Sequence, residues 1–163
     1  MLENNNRVSS IATIEPDAWK DIRDGVRTLC SNFPGEYWRG LDSKREYPEE
    51  FVKALTNAGY LACLIPEEYG GSGLPIQAAC IILEEIQRSG GNGAACHAQM
   101  YIMGALLRHG SKEQKDKYLP KISSGELRLQ AFGVTEPDAG TDTLSIRTKA
   151  EKTKNGFIRG SPS

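Results

Sequence analysis

Long hydrophobic runs are missing from this chain. The most apolar stretch, Ala94 to Leu107, is broken by His97 and Gln99 and falls short of the ~20 residues that span a bilayer, so membrane insertion is not expected. An excess of charge is missing too: 20 Lys and Arg stand against 21 Asp and Glu, a net charge of −1, with the two signs interspersed. Nothing in that balance calls for a nucleic acid or an anionic membrane as partner. No repeat period and no low-complexity tract occurs, and 17 glycines in 163 residues is an ordinary share, which excludes collagen-like and disordered classes. The opening MLENNNRVSS has neither an apolar core nor an Arg-rich face, so no secretory or transit signal is read there. A cytoplasmic address is expected, or the mitochondrial matrix if the source is eukaryotic. The four cysteines, Cys30, Cys63, Cys80 and Cys96, form no CxxC pair; three sit in apolar surroundings and suit buried free thiols in a reducing compartment. His97 and His109 lack a third ligand at helical spacing, so no metal site is expected.

What remains is a pattern of helices. Trp19, Ile22, Val26 and Leu29 recur at spacings of three and four between Pro16 and Phe33, with Gly25 as a weak point and Pro34-Gly35 as the stop. No period is sustained from Phe33 to Lys44, which places Trp38 and Arg39 on a connector. Pro48-Glu49-Glu50 starts a helix burying Phe51, Val52, Leu55 and Ala58 and ending at Gly59. The stretch Pro66 to Pro75, containing PEEYGGSG, reads as a loop packed by Tyr69; with two acids and no GKS or GKT it makes a poor phosphate loop. A third helix runs from about Pro75 to Arg88, with Ile76, Ala79, Cys80, Leu83 and Ile86 inward and Glu84 and Glu85 on a solvated face. The fourth, about Gly93 to His109, is apolar nearly all round and belongs in the middle of a bundle. Ser111 and Gln114 form a capping-box pattern for a short helix ending near Tyr118-Leu119-Pro120.

From Glu126 the period changes to two. Leu127, Leu129 and Ala131 alternate with Arg128, Gln130 and Phe132, Leu144, Ile146 and Thr148 form a second alternating run, and a further strand is expected at Gly156 to Arg159. The fold class is therefore mainly α, a helical domain followed by the first strands of an incomplete β domain. The boundaries are 1–46 for an amino-terminal helix and connector, 47–125 for the helical domain, and 126–163 for the start of the β domain. Two or three strands do not make an independent sheet, so the chain reads as cut off inside its second domain.

Chemistry concentrates in Thr135-Glu136-Pro137-Asp138-Ala139-Gly140-Thr141-Asp142. Gly140 lets successive backbone N–H groups converge on a phosphate, with the Thr141 hydroxyl beside them; an Asx-type turn solvated by its own acids is the plainer account of the same residues. His97 either faces a cavity beside Tyr101, its i+4 neighbour, or is a hydrogen-bonded core histidine.

Four collinear segments carry a resemblance: IPEEYGGSGL at Ile65 to Leu74, LEEIQRSGG at Leu83 to Gly91, GSKEQKDKYLPKISSGEL at Gly110 to Leu127, and AFGVTEPDAGTD at Ala131 to Asp142. Together they resemble the amino-terminal part of the acyl-CoA dehydrogenases, in the family's order, from about Tyr47 to Gly160. The resemblance implies an FAD enzyme that removes a proton and a hydride from the α and β carbons of an acyl-CoA thioester to give the trans-2-enoyl product. It further implies a homo-oligomer and an electron-accepting flavoprotein as partner. By position, Phe132 takes the family's aromatic place beside the flavin, and Val134 and Thr135 resemble the residues whose amide and hydroxyl meet the ring. Gly140 and Thr141 resemble the pair at the FAD pyrophosphate, Thr141 replacing the more usual Ser. His97 and Tyr101 fall where family members line the acyl cavity.

The sequence also departs from the family. After Gly156 to Gly160 the family continues with a Lys and an aromatic-Ile-Thr/Ser run, whereas here Ser161-Pro162-Ser163 follows. The family's glutamate base lies further downstream, so no catalytic residue is expected in these 163 residues, and Glu136 has no positional claim to that role. Two other readings stay open: a non-catalytic helical interaction module, and an acyl-CoA oxidase-like or other related flavoprotein.

Overall fold

The computed structural model describes residues 19–131 and 133–160. The chain divides into two compact units, up to Gln130 and from Ala131 onward.

The first unit is helical. Helix α1, Lys20–Cys30, carries Asp21 in its first turn and Arg27 in its last, the arrangement the helix dipole favours; the expected residues 16–18 lie outside the described part. Val26 and Cys30 are buried. Gly25 has a packing reason, since a Cβ there would overlap the Tyr60 hydroxyl.

The expected connector from Phe33 to Lys44 is instead helix α2, Gly35–Lys44. The Pro34-Gly35 pair that stops α1 also launches α2, because proline is tolerated where no intrahelical N–H is needed. Tyr37, Trp38 and Leu41 then share one face by i, i+4 spacing. That face closes an aromatic cluster: Trp38 stacks edge-on to Phe51 with centroids 4.8 Å apart, and Phe33 meets Phe51 at 5.1 Å. The Trp38 indole N–H donates to the Phe33 carbonyl at 3.0 Å.

Helix α3, Glu49–Asn57, buries Phe51, Val52, Leu55 and Thr56. Ala58 lies just past its end and is exposed, contrary to expectation; Gly59 follows at φ 79. The loop after it folds back on itself. Gly71 N–H bonds Pro66 O (3.2 Å), Gly73 N–H bonds Ile65 O (2.8 Å) and Leu74 N–H bonds Cys63 O (2.7 Å). Tyr69 donates to Asp116 at 3.0 Å, and the Ser123 hydroxyl bonds the Gly70 carbonyl. PEEYGGSG is thus a structural clasp.

Helix α4, Ile76–Arg88, buries Ala78, Ala79, Ile82, Glu85 and Ile86. The stripe is rotated from the expected one: Ile76 and Cys80 are exposed, and Glu85, expected on a solvated face, is 1% exposed. Arg27 grips its carboxylate through Nε (2.7 Å) and Nη2 (3.0 Å), and Arg23 adds a contact at 2.6 Å. Two cations on α1 make burial of this acid tolerable, which single-helix periodicity does not anticipate. Helix α5, Ala94–His109, buries Cys96, Gln99, Met100 and Met103, while His97, Tyr101 and Ala105 are exposed. Among the described residues it is packed on one face, not enclosed all round as its composition suggested.

Helix α6, Lys112–Ser124, has the expected capping box, with Gln114 N–H to Ser111 Oγ at 3.3 Å and Ser111 N–H to Gln114 Oε1 at 2.9 Å. It runs past Pro120 for a further turn, because burial of Leu119 and Ile122 outweighs one lost backbone bond.

The expected strand at 127–131 does not form. Residues 126–130 are an extended strap whose alternation is real but serves side-chain anchoring. Leu127 and Leu129 pack on the cluster of Ile65, Met103, Leu119 and Ile122. Arg128 donates to Thr56 Oγ1 at 3.2 Å, and Gln130 Nε2 donates to the Tyr47 hydroxyl at 2.7 Å. A strand requires a ladder partner, and none of the described residues supplies one here.

In the second unit the run 144–148 is likewise not a strand: Thr143–Ser145 forms a 3-10 turn and Leu144 is exposed. The hairpin is formed by β1, Lys149–Thr153, and β2, Gly156–Gly160, antiparallel in register Thr153 with Gly156. The third expected strand is therefore present, and its partner is a segment the alternation did not mark.

Three substitutions test this packing. A Cβ at Gly71 would overlap the Ile65 and Ala62 carbonyls, so Gly71→Ala should lose about 1–3 kcal/mol in urea unfolding, whereas Gly140→Ala, with nothing within 4 Å, should not. Hydrogen bonding from Arg27, then Arg23, holds the Glu85 carboxyl below its usual range. Its stabilisation is therefore complete above the unfolded value of about 4.3 and is lost as pH falls through the lower folded value. Glu85→Gln should cost about 1–3 kcal/mol near neutrality and flatten the fall in thermal midpoint below about pH 4.3; an unchanged pH profile would refute the assignment.

Candidate functional site

Two places hold the residues singled out by sequence, one in each unit. The first is an open groove of about 670 Å³ along the amino-terminal half of α5. His97 and Tyr101 line it together, their rings edge-to-face at 5.0 Å. His97 is thus an exposed groove residue and not a core histidine. Arg45, Tyr47 and Gln130 complete the wall. Arg45 ends α2 at φ 56, the one non-glycine residue with positive φ among those described. Tyr47 and Gln130 are fixed to each other at 2.7 Å, and Gln130 Nε2 also reaches the Ala95 carbonyl at 3.2 Å. Sequence reasoning did not single out these three residues; Gln130 was legible only as one position of an alternating run.

On the other side of α5 the core is chemically quiet. Burial pushes the Cys63 thiol up to about 11 and the Cys96 thiol to about 12, and raises Cys30 as well. These three are protonated packing residues, and Cys80 is exposed and free. No group of three or more His, Cys, Asp or Glu side chains among the described residues is arranged to hold a metal. One polar group stands out: Gln99 is 1% exposed and its Oε1 has no hydrogen-bond partner among the described residues.

The second place is the loop 133–142. Glu136 and Ala139 exchange backbone hydrogen bonds at 2.9 and 3.3 Å, which makes a tight turn through Pro137 and Asp138. The Glu136 carboxylate accepts the backbone N–H groups of Arg147 and Thr148, each at 2.8 Å, and the Arg147 bond is the leading cause of its lowered pKa. Asp142 caps the following turn by accepting from Leu144 N–H at 3.3 Å and from the Ser145 hydroxyl. Asp138 lies 3.6 Å from Arg147. Every acid of the loop is therefore engaged within the second unit. The backbone N–H groups of Val134, Thr135, Gly140 and Thr141, and the two threonine hydroxyls, have no partner among the described residues. Val134 is half-buried, and Thr135, Gly140 and Thr141 are exposed. Gly140 lies outside the left-handed region; the space around it, and not a special φ, is what it contributes. Phe132 lies outside the described residues. Beside the exposed carboxylates of Asp138 and Asp142, the loop offers unengaged N–H and O–H donors, which suit an acceptor-rich group such as a pyrophosphate or a polar ring edge.

Residues 16–126 match the acyl-CoA dehydrogenase, N-terminal domain family. The chain belongs to the acyl-CoA dehydrogenases. It is 32% identical over 154 residues to the mitochondrial isovaleryl-CoA dehydrogenase of Solanum tuberosum, covering 91% of this chain and 37% of that protein. It is 40% identical over 144 residues to the enzyme of that name from Pongo abelii, covering 85% and 34%. Among solved structures, a glutaryl-coenzyme A dehydrogenase bound to glutaryl-CoA superposes with TM-score 0.76 at 31% identity, over 90% of this chain and 38% of that one. An FAD-complexed acyl-CoA dehydrogenase from Bacillus anthracis gives TM-score 0.74 at 30% identity, over 87% and 25%. The chain thus spans a little over a third of the curated relatives it matches. The family is one of flavin-dependent oxidoreductases, and among the described residues no helix of this member is long and apolar enough to cross a membrane.

Gln99 yields a prediction on α5. Replacing its buried amide, whose Oε1 lacks a partner among the described residues, by a methionine of similar volume should raise stability by about 1 kcal/mol, read as a higher urea midpoint with unchanged slope. A destabilised Gln99→Met variant would mean that the amide is needed in place.

Proposed function

We propose that this chain contributes the helical part and the flavin loop of an FAD-dependent acyl-CoA dehydrogenase, which converts an acyl-CoA thioester to its trans-2-enoyl product. The supporting observation is the loop 133–142: its three acids are engaged by neighbours within the second unit, while the amides of Val134, Thr135, Gly140 and Thr141 and the two threonine hydroxyls have no partner among the described residues. Thr135 and the Val134 amide would hold the ring edge, and Gly140 and Thr141 the pyrophosphate, with Thr141 keeping the donor of the family's usual serine and adding a methyl. Gly140 carries no side chain to hold the pyrophosphate away. Bound FAD supplies the two-electron acceptor for the α,β-dehydrogenation. His97 and Tyr101 would line the acyl cavity, where an aromatic edge and an imidazole face the substrate chain. The active assembly is a homo-oligomer that passes electrons to an electron-accepting flavoprotein.

No glutamate among these 163 residues stands at the position of the family's α-proton base. The purified 163-residue chain is therefore expected to show no acyl-CoA-dependent dye reduction; turnover by a preparation free of longer protein would overturn that part of the proposal. The flavin contacts are tested separately. Addition of FAD to the isotope-labelled chain should shift the amide resonances of Thr135, Gly140 and Thr141, and Thr141→Val should weaken the response about tenfold or more, as expected for a lost hydrogen bond to a charged group. Shifts confined to the helical unit, or none, would refute these assignments.

A further inference from the structure

We draw no further inference here: the strongest candidate, the groove along α5 where Arg45 and His97 stand beside Ala95 and Ala98, belongs to the acyl site already described, and nothing in the structure shows what else covers that face.

Discussion

Two arginines of α1 converge on a single buried carboxylate of α4, and the arrangement of the helical unit depends on that contact. Glu85 is fully withdrawn from water, yet Arg23 and Arg27 remain partly exposed, so the desolvation penalty falls mainly on the acid and is offset by three short hydrogen bonds. The contact fixes the rotation of α4. With Glu85 inward, Ala78, Ala79, Ile82 and Ile86 must face the core, and Ile76 and Cys80 must face out. The core cluster of Val26, Phe51, Leu55, Ile82, Ile86 and Cys96 is assembled around that rotation.

A related economy operates in the loop 133–142, where acids are also used to organise backbone. Glu136 ties the start of the loop to the backbone at 147–148, and Asp142 starts the 3-10 turn that leads there. These carboxylates are spent on backbone N–H groups and the Ser145 hydroxyl, and beside them the N–H and O–H donors of Thr135, Gly140 and Thr141 are left without partners among the described residues. The loop's chemistry follows from how its acids are bonded more than from Gly140.

Most of the helical pattern was legible because it is local. Apolar spacing gave α1, α3, α4 and α5, and Ser111 with Gln114 gave the start of α6. Three of the misses share a cause, a partner beyond the local pattern. Helix α2 is ordered by Trp38 and Tyr37 packing on Phe51 and Phe33, α6 continues beyond Pro120 because Ile122 finds a core, and the alternation at 127–130 resolves into a strap because its contacts are side chains on helices. At the candidate sites, the resemblance marked Thr135, Gly140 and Thr141 by motif. Arg45, Tyr47 and Gln130 carry no local signature, since they meet His97 and Tyr101 only across folded distance.

Helix α5 shows local and global preferences in conflict. Its composition is apolar nearly all round, yet the residue it turns into the core at position 99 is an amide without a complete set of partners, while Tyr101 and Ala105 face outward. A helix optimised only for this unit would reverse those choices, placing an apolar side chain at 99 and polar ones at 101 and 105. Of these three positions only Tyr101 lines the groove that holds His97. Sequences that break their own packing rules tend to do so where something other than stability is being selected, and Tyr101 is one such departure, on the face of α5 that we propose for the acyl group.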